Sequence, residues 1–170
     1  MVRYSENSRK RQRGFGLVEV LMALLIVAIG VLGYAGLQLQ ALDSTTMSYT
    51  RSQATSIAQA AVERIKANPW QAAYYYDSNN WPTDDPGANF DETCSTGKDC
   101  LPAEIAAWDI NQLRWLTWNL LPTGRIDVSP CVGSELQCVR VAWNEAMPSD
   151  CEDGGAVVSG VDCFVLEVLP

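Results

Sequence analysis

Three groups of residues in this chain are of types that could do chemistry. Glu19 is a lone carboxylate at the start of an apolar run, and four acidic residues lie within the short segment 150–162. The third group consists of six cysteines, all in the second half of the chain: Cys94, Cys100, Cys131, Cys138, Cys151 and Cys163. The chain has no histidine, which excludes Ser-His and Cys-His nucleophile pairs and histidine-ligated metal sites. No other acid–base constellation appears, so we predict neither an enzyme nor a bound cofactor.

The cysteines are predicted to form disulfides. An even number of cysteines in a turn-rich sequence is typical of proteins outside the cytoplasm. A zinc site would favour closely spaced C-x-x-C pairs, whereas five, six and eleven residues separate the members of each consecutive pair. Six cysteines allow fifteen connectivities, and the sequence does not choose among them. Sequential pairing would join Cys94 to Cys100, Cys131 to Cys138 and Cys151 to Cys163.

The acidic segment is a weak candidate for a metal site. Asp150, Glu152, Asp153 and Asp162 lie among glycines, and calcium prefers such oxygen ligands. Their spacing matches no EF-hand loop, however, so a solvated acidic turn without a metal is the favoured interpretation.

Charge is distributed unevenly along the chain. The net charge is −8, but five of the twelve basic residues precede Gly14, and from Phe15 onward the charge is −12. Such an acidic body would repel a phosphate backbone. We therefore expect no nucleic-acid partner.

The apolar run after Glu19 is long enough to cross a membrane. Val20 to Leu37 is uncharged and as a helix would span about 27 Å. The basic residues before it would keep the N-terminus in the cytoplasm. A secretory signal peptide would have a shorter apolar core, of about 7–15 residues. A simple membrane anchor leaves Glu19 unexplained, because a carboxylate at membrane depth costs about 2.5–3.5 kcal/mol and needs a partner.

The stretch from Gly14 to Glu19, "GFGLVE", follows a basic leader and precedes this apolar run. It resembles the class III prepilin signal of type IV pilins. The resemblance implies that a prepilin peptidase cleaves after Gly14 and N-methylates Phe15. It also implies that Glu19 neutralises the terminal ammonium of a neighbouring subunit. Opposite charges about 4 Å apart attract by about 4 kcal/mol at an effective dielectric of about 20, which offsets the burial cost.

Periodic patterns predict the elements that follow. Apolar residues at three- and four-residue steps predict that one helix continues from Phe15 to Asn68, just before Pro69; these residues are Ala54, Ile57, Ala58, Ala61, Val62 and Ile65. Residues 69–101 are expected to be a loop region. Its aromatics Trp70, Tyr74 and Trp81 are predicted to cover the helix, with a sugar- or receptor-facing patch as the alternative.

A second helix is predicted over residues 102–121, between Pro102 and Pro122. Its inward residues are expected to be Ala106, Ile110, Leu113, Thr117 and Leu120, with Trp108 and Trp115 pointing elsewhere, either under the preceding loop or toward a neighbouring subunit.

Three short β-branched segments, 125–129, 137–145 and 163–170, predict strands of a small antiparallel sheet with one covered face. Their inward residues are expected to be Ile126, Val128, Val139, Val141, Trp143, Phe164, Leu166 and Val168. The elements predict an α+β protein. The resemblance supplies their arrangement, the type IV pilin fold, in which a long N-terminal helix packs on a small C-terminal antiparallel sheet with a disulfide-stapled loop region.

A finer resemblance to PilV-type minor pilins rests on "GFGLVEVLMALLIVAIGVLGYAGLQLQAL", "LLPTG" and "VRVAWNE". It implies a leader (1–14), a transmembrane and assembly segment (15–38) and a periplasmic domain (39–170), first in the inner membrane and then in the pilus fibre or at its tip. The implied partners are the prepilin peptidase, other minor pilins, the major pilin and a tip adhesin. The implied function is to initiate pilus assembly and to join or cap the fibre, supporting adhesion or twitching motility. A minor pseudopilin of type II secretion and an unprocessed, membrane-anchored binding module remain the alternatives.

Overall fold

The computed structural model describes Gly14 and residues 16–89, 92–95 and 99–170. The predicted leader up to Arg13 and the predicted methylation site Phe15 lie outside the described residues. The chain divides between Thr45 and Thr46 into two compact units. We call them the first unit, up to Thr45, and the second unit, Thr46–Pro170.

Helix α1 runs from Leu17 to Ala67 and contributes to both units. It begins after Gly16, whose carbonyl accepts hydrogen bonds from the N–H groups of Glu19 and Val20 at 3.0 and 3.2 Å. It ends before Pro69, one residue earlier than predicted, because proline disfavours helical geometry at the preceding residue.

The segment predicted as loop contains three short helical turns, Pro69–Gln71, α2 (Ala72–Tyr75) and Ser78–Asn80. Local side-chain bonds hold the last of them, since the Asp77 carboxylate accepts from the Asn79 backbone at 3.0 Å. Such bonds compete with longer regular elements and leave little periodicity in the sequence. Helix α3 follows over Pro102–Leu120.

The sheet has three antiparallel strands, β1 (Arg125–Pro130), β2 (Gln137–Ala142) and β5 (Cys163–Val168), in the order β1-β2-β5. Strands β3 (Glu152–Asp153) and β4 (Ala156–Val157) form a separate ribbon that was not predicted. β2 is shorter than predicted, because Asn144 has a φ of 57° and cannot continue an extended strand.

One face of the sheet packs against α3 and the last part of α1 around the main core of the second unit. The predicted α1 stripe is buried there, apart from the half-buried Val62. The prediction for Leu120 is wrong: this residue is 45% exposed at the helix end, and Leu121 is buried instead.

The aromatic prediction is only partly correct. Trp81 is buried and its indole N–H donates to the Tyr75 carbonyl at 2.7 Å. Tyr75 rather than Tyr74 enters the core, and Trp70 is 89% exposed. The short helical turns after Pro69 determine which of these aromatic side chains point into the core. The sequence pattern does not reveal these orientations.

The prediction of a single covered face is also wrong. Cys138, Arg140 and Ala142 point to the opposite face of β2, and all three are buried. The segment Pro148–Cys151 covers this face and is joined to β5 by the Cys151–Cys163 disulfide. The other two disulfides join Cys94 to Cys100 and Cys131 to Cys138, so the structure has the sequential pairing.

Candidate functional site

The start of α1 carries the carboxylate that the sequence singled out. Gly14 and Gly16 are exposed, and Glu19 lies exposed in the first helical turn. A carboxylate there is favoured by the partial positive charge of the helix N-terminus. No described residue forms an ion pair with Glu19.

The first unit exposes a continuous apolar surface. Its large apolar side chains from Leu17 to Leu42 are each between 48% and 77% exposed. This helix is long and apolar enough to cross a membrane, as judged by length and composition. A soluble monomer rarely exposes so much contiguous apolar surface, so the segment is built to be covered by lipid or by other protein chains.

The second unit contains a buried cluster of charged side chains on the back of the sheet. The Arg140 guanidinium donates to Asp127 at 3.2 Å, to Ser129 at 2.7 Å and to the Pro130 carbonyl at 3.0 Å, and it also pairs with Glu152. A groove of about 530 Å³ lies beside it. Because the chain's own acceptors surround Arg140, the cluster fixes the returning segment on the sheet rather than offering a free cation.

A second polar cluster joins α1 to α3 within the second unit. Arg64 donates to Asp109 at 3.0 Å, and the Tyr75 hydroxyl donates to the other oxygen of this carboxylate at 2.6 Å. Burial, reinforced by Asp109, raises the pKa of Tyr75 well above its usual value. Arg64 also lies 5.8 Å from the centre of the Trp108 ring. Trp108 therefore packs beside α1 within this unit.

The acidic segment does not assemble into one site. Glu152 is buried against Arg140, so the prediction of a wholly solvated turn is wrong for this residue. Asp150 accepts from the Met147 backbone at 2.8 Å and Asp162 from the Asn144 side chain at 2.7 Å. Among the described residues, the group with metal-ligand spacing is Cys131, Cys138 and Glu152. Its two sulfurs are joined in a disulfide, so the thiolates that a metal would need are not available.

The described residues therefore form a long helix, whose N-terminal part exposes apolar side chains, and an α+β unit with three disulfides. The prokaryotic N-terminal methylation motif matches residues 9–35, and the family model for type IV pilin Tt1218-like proteins matches residues 36–111. No curated protein and no solved structure matches the chain. The two family matches adjoin, and they identify the chain as a type IV pilin-like protein with a prepilin signal.

This family points to a structural protein rather than an enzyme. The methylation motif implies processing by a prepilin peptidase and assembly with other pilins. The motif and the apolar helix are consistent with anchoring in the inner membrane.

The N-terminal methylation motif was recognisable in the sequence, whereas the Arg140 cluster was not. In "QCVRVA" the arginine alternates with apolar residues, as a solvent-facing strand residue would. The one available signal was Asp127 and Ser129 alternating with apolar residues on the preceding strand, which places two polar side chains on the face that Arg140 shares.

Proposed function

We propose that this chain is a minor type IV pilin that helps to initiate pilus assembly and enters the fibre or its tip. The observation that supports this most directly is the "GFGLVE" motif at the start of α1. The motif ends in Glu19, a first-turn carboxylate that forms no ion pair with any described residue, and the helix that follows exposes its apolar side chains. A simple anchor would gain from the carboxylate only its interaction with the first turn of its own helix.

The proposed maturation begins on the cytoplasmic side of the inner membrane. The peptidase removes residues 1–14 and methylates the new terminus at Phe15. Residues 15–38 remain as the membrane and assembly segment, and residues 39–170 form the periplasmic domain. On assembly, Glu19 pairs with the terminal ammonium of a neighbouring subunit, which offsets the cost of moving both charges into apolar surroundings.

A minor role, of the PilV type, is favoured over that of a major pilin because residues 17–42 contain no proline. Major pilins usually carry one in this region. The partners would then be other minor pilins, the major pilin and a tip adhesin, and the fibre would serve adhesion or twitching motility.

Mass spectrometry of the N-terminal peptide tests the proposal, applied separately to membranes and to sheared surface fibres. We expect a methylated peptide that begins at Phe15 in both fractions. The same peptide confined to membranes would favour a minor pseudopilin of type II secretion. An intact Met1 terminus would overturn processing and leave a membrane-anchored periplasmic module.

A further inference from the structure

Hydrogen bonding along β2 determines which backbone groups of β5 point away from the sheet. The Trp143 N–H donates to the Asp162 carbonyl at 3.0 Å, and this pair continues the register in which Val141 lies opposite Phe164. Opposed residues in an antiparallel ladder alternate between pairs that exchange hydrogen bonds and pairs that do not. Residues 164, 166 and 168 therefore bond to β2. The N–H and C=O groups of Val165 and Glu167 point outward.

No strand of the described chain covers these outward groups. β5 ends the strand order, and the backbone hydrogen bonds formed among the described residues include none from Val165 or Glu167 to another segment. Glu167 is exposed, while the apolar residues Phe164, Val165, Leu166 and Val168 are only half-buried. An edge strand of this kind is a template for a further strand, which would complete the burial of these side chains.

The opposite edge of the sheet is closed. By the same alternation the outward residues of β1 are Ile126 and Val128, and they are 1% and 0% exposed. The segment around Thr83 lies along this edge and accepts a hydrogen bond from Arg125 at 3.3 Å. β1 then ends in Pro130, which has no N–H to offer. The β1 edge is thus protected against strand addition by burial and by Pro130, whereas the β5 edge is not.

The open edge is also held in place from both sides. Cys163, the first residue of β5, is joined to Cys151, and Val165 packs against this disulfide. On the other face Phe164 and Leu166 pack against the main core. A strand fixed in this way loses little conformational freedom when it binds a partner.

We propose that the outer edge of β5 is a docking site at which an extended segment of a different subunit of the same assembly adds a fourth strand. In this mode of recognition main-chain hydrogen bonds supply affinity and alternate side chains supply specificity. Residues 46–170 carry seven basic and seventeen acidic side chains, so a second copy of this chain would be repelled. Opposite Glu167 the incoming strand should carry Lys or Arg. The strand-addition site rests on the sheet alone, and only the choice of a fellow subunit rests on the proposed function.

Site-specific photo-cross-linking in native membranes tests the site. A photoreactive residue replaces Glu167 in the full chain, and a matched chain carries it in place of Glu135, which is exposed in the β1–β2 turn. We expect position 167, but not position 135, to cross-link to an extended segment of another protein that bears an N-terminal methylation motif. Cross-linking to a second copy of this chain, equal cross-linking at both positions, or none at position 167 would overturn the proposal.

Two substitutions test the hydrogen-bonding mode. Glu167→Pro removes an outward N–H without removing a bond to β2, and we expect it to lower the yield of a cross-link from Leu169 by about tenfold. Glu167→Thr keeps the N–H and should change that yield by no more than about twofold. An equal loss in both variants would refute backbone pairing. If the proline variant does not fold, Glu167→Lys replaces it: repulsion of a basic partner strand should lower the yield, and an unchanged yield would refute the predicted partner charge.

N-terminal mass spectra of the same samples separate the two proposals. A processed terminus without the cross-link would overturn strand addition alone, and a Met1 terminus would overturn the proposed function.

Discussion

The two units of this chain differ in how their charged side chains next to apolar residues are paired. In the second unit, buried charged groups find partners within the chain: Arg140 pairs with Asp127 and Glu152, and Asp109 pairs with Arg64. In the first unit, Glu19 precedes a stretch of exposed apolar side chains and has no ion-pair partner among the described residues. Buried charge is therefore compensated internally in the second unit, whereas Glu19 in the first unit has no such partner among the described residues.

Helix α1 shows how the sequence encodes this difference. Its apolar residues are nearly continuous up to Leu42, and none of the large ones is buried. From Ala54 onward they recur on one face, and that face is buried in the core. A continuous apolar helix suits lipid or a filament interior, and a periodic one suits a folded domain. The following predictions test the contrast, beginning with the largest expected effect.

Replacing Gly14 with leucine should abolish maturation. The resemblance places the cleaved bond after this glycine, and a bulky side chain would obstruct the peptidase. We expect full-length precursor in membranes and none in sheared fibres, measured by N-terminal mass spectrometry. Gly16→Ala, two residues beyond, is the matched control and should be processed. Normal processing of the leucine variant would remove the prepilin assignment.

Replacing Glu19 with alanine should leave processing intact and reduce assembly. The variant loses an attraction of about 4 kcal/mol with the terminal ammonium of a neighbour, part of which offsets desolvation, so we expect at least a tenfold loss from fibres. Glu19→Asp keeps the charge and should assemble better than the alanine variant. Quantitative immunoblots of sheared fibres and membranes measure the ratio. Unchanged incorporation of the alanine variant would show that Glu19 serves only the first turn of its own helix.

Prediction from sequence succeeded where the signal is local. The α1 stripe, the extent of α3 and the inward residues of β1 and β2 follow from periodicity, because burial of one face imposes a repeat of 3.6 or 2 residues. The Gly14–Glu19 motif was visible for the same reason, since its residues are adjacent in the chain.

The failures concern contacts between distant segments. In the sequence Arg140 resembles a solvent-facing residue, but in the structure the Pro148–Cys151 segment covers it. This segment is joined to β5 by a disulfide between cysteines twelve residues apart. Trp70 is exposed, and Tyr75 rather than Tyr74 is buried, because the short turns after Pro69 orient these side chains. The open edge of β5 depends on strand order, which no stretch of sequence contains.

Replacing Arg140 with methionine should sharply destabilise the second unit. Two carboxylates would remain on the back of the sheet without their cation, a loss that typically costs about 3–5 kcal/mol. Urea unfolding of the full-length chain in detergent, with its disulfides intact, measures the change. Asp84→Asn removes an ion pair whose acid is 77% exposed, and it should cost at most about 1 kcal/mol. Equal costs in the two variants would contradict the view that the second unit depends on its internal charge partners.

Replacing Tyr75 with phenylalanine should have a smaller effect that depends on pH. At pH 7 the variant leaves an oxygen of Asp109 without its donor, which costs about 1–3 kcal/mol. Tyr74→Phe, at a partly exposed position, is the control and should stay within about 0.5 kcal/mol of the parent.

The pH dependence follows from the raised pKa of Tyr75, which is caused first by burial and then by Asp109. In the unfolded chain a tyrosine ionises near pH 10, whereas in the folded chain Tyr75 keeps its proton to higher pH. The unfolded state therefore binds fewer protons above pH 10, and stability falls there by up to about 1.4 kcal/mol per pH unit from this residue. The Tyr75→Phe variant should show a shallower alkaline slope, though not a flat one, since burial also raises the pKa of Tyr76. An unchanged slope would mean that Tyr75 ionises as readily in the folded chain as in the unfolded one. It would then contradict the burial of Tyr75 and its hydrogen bond to Asp109.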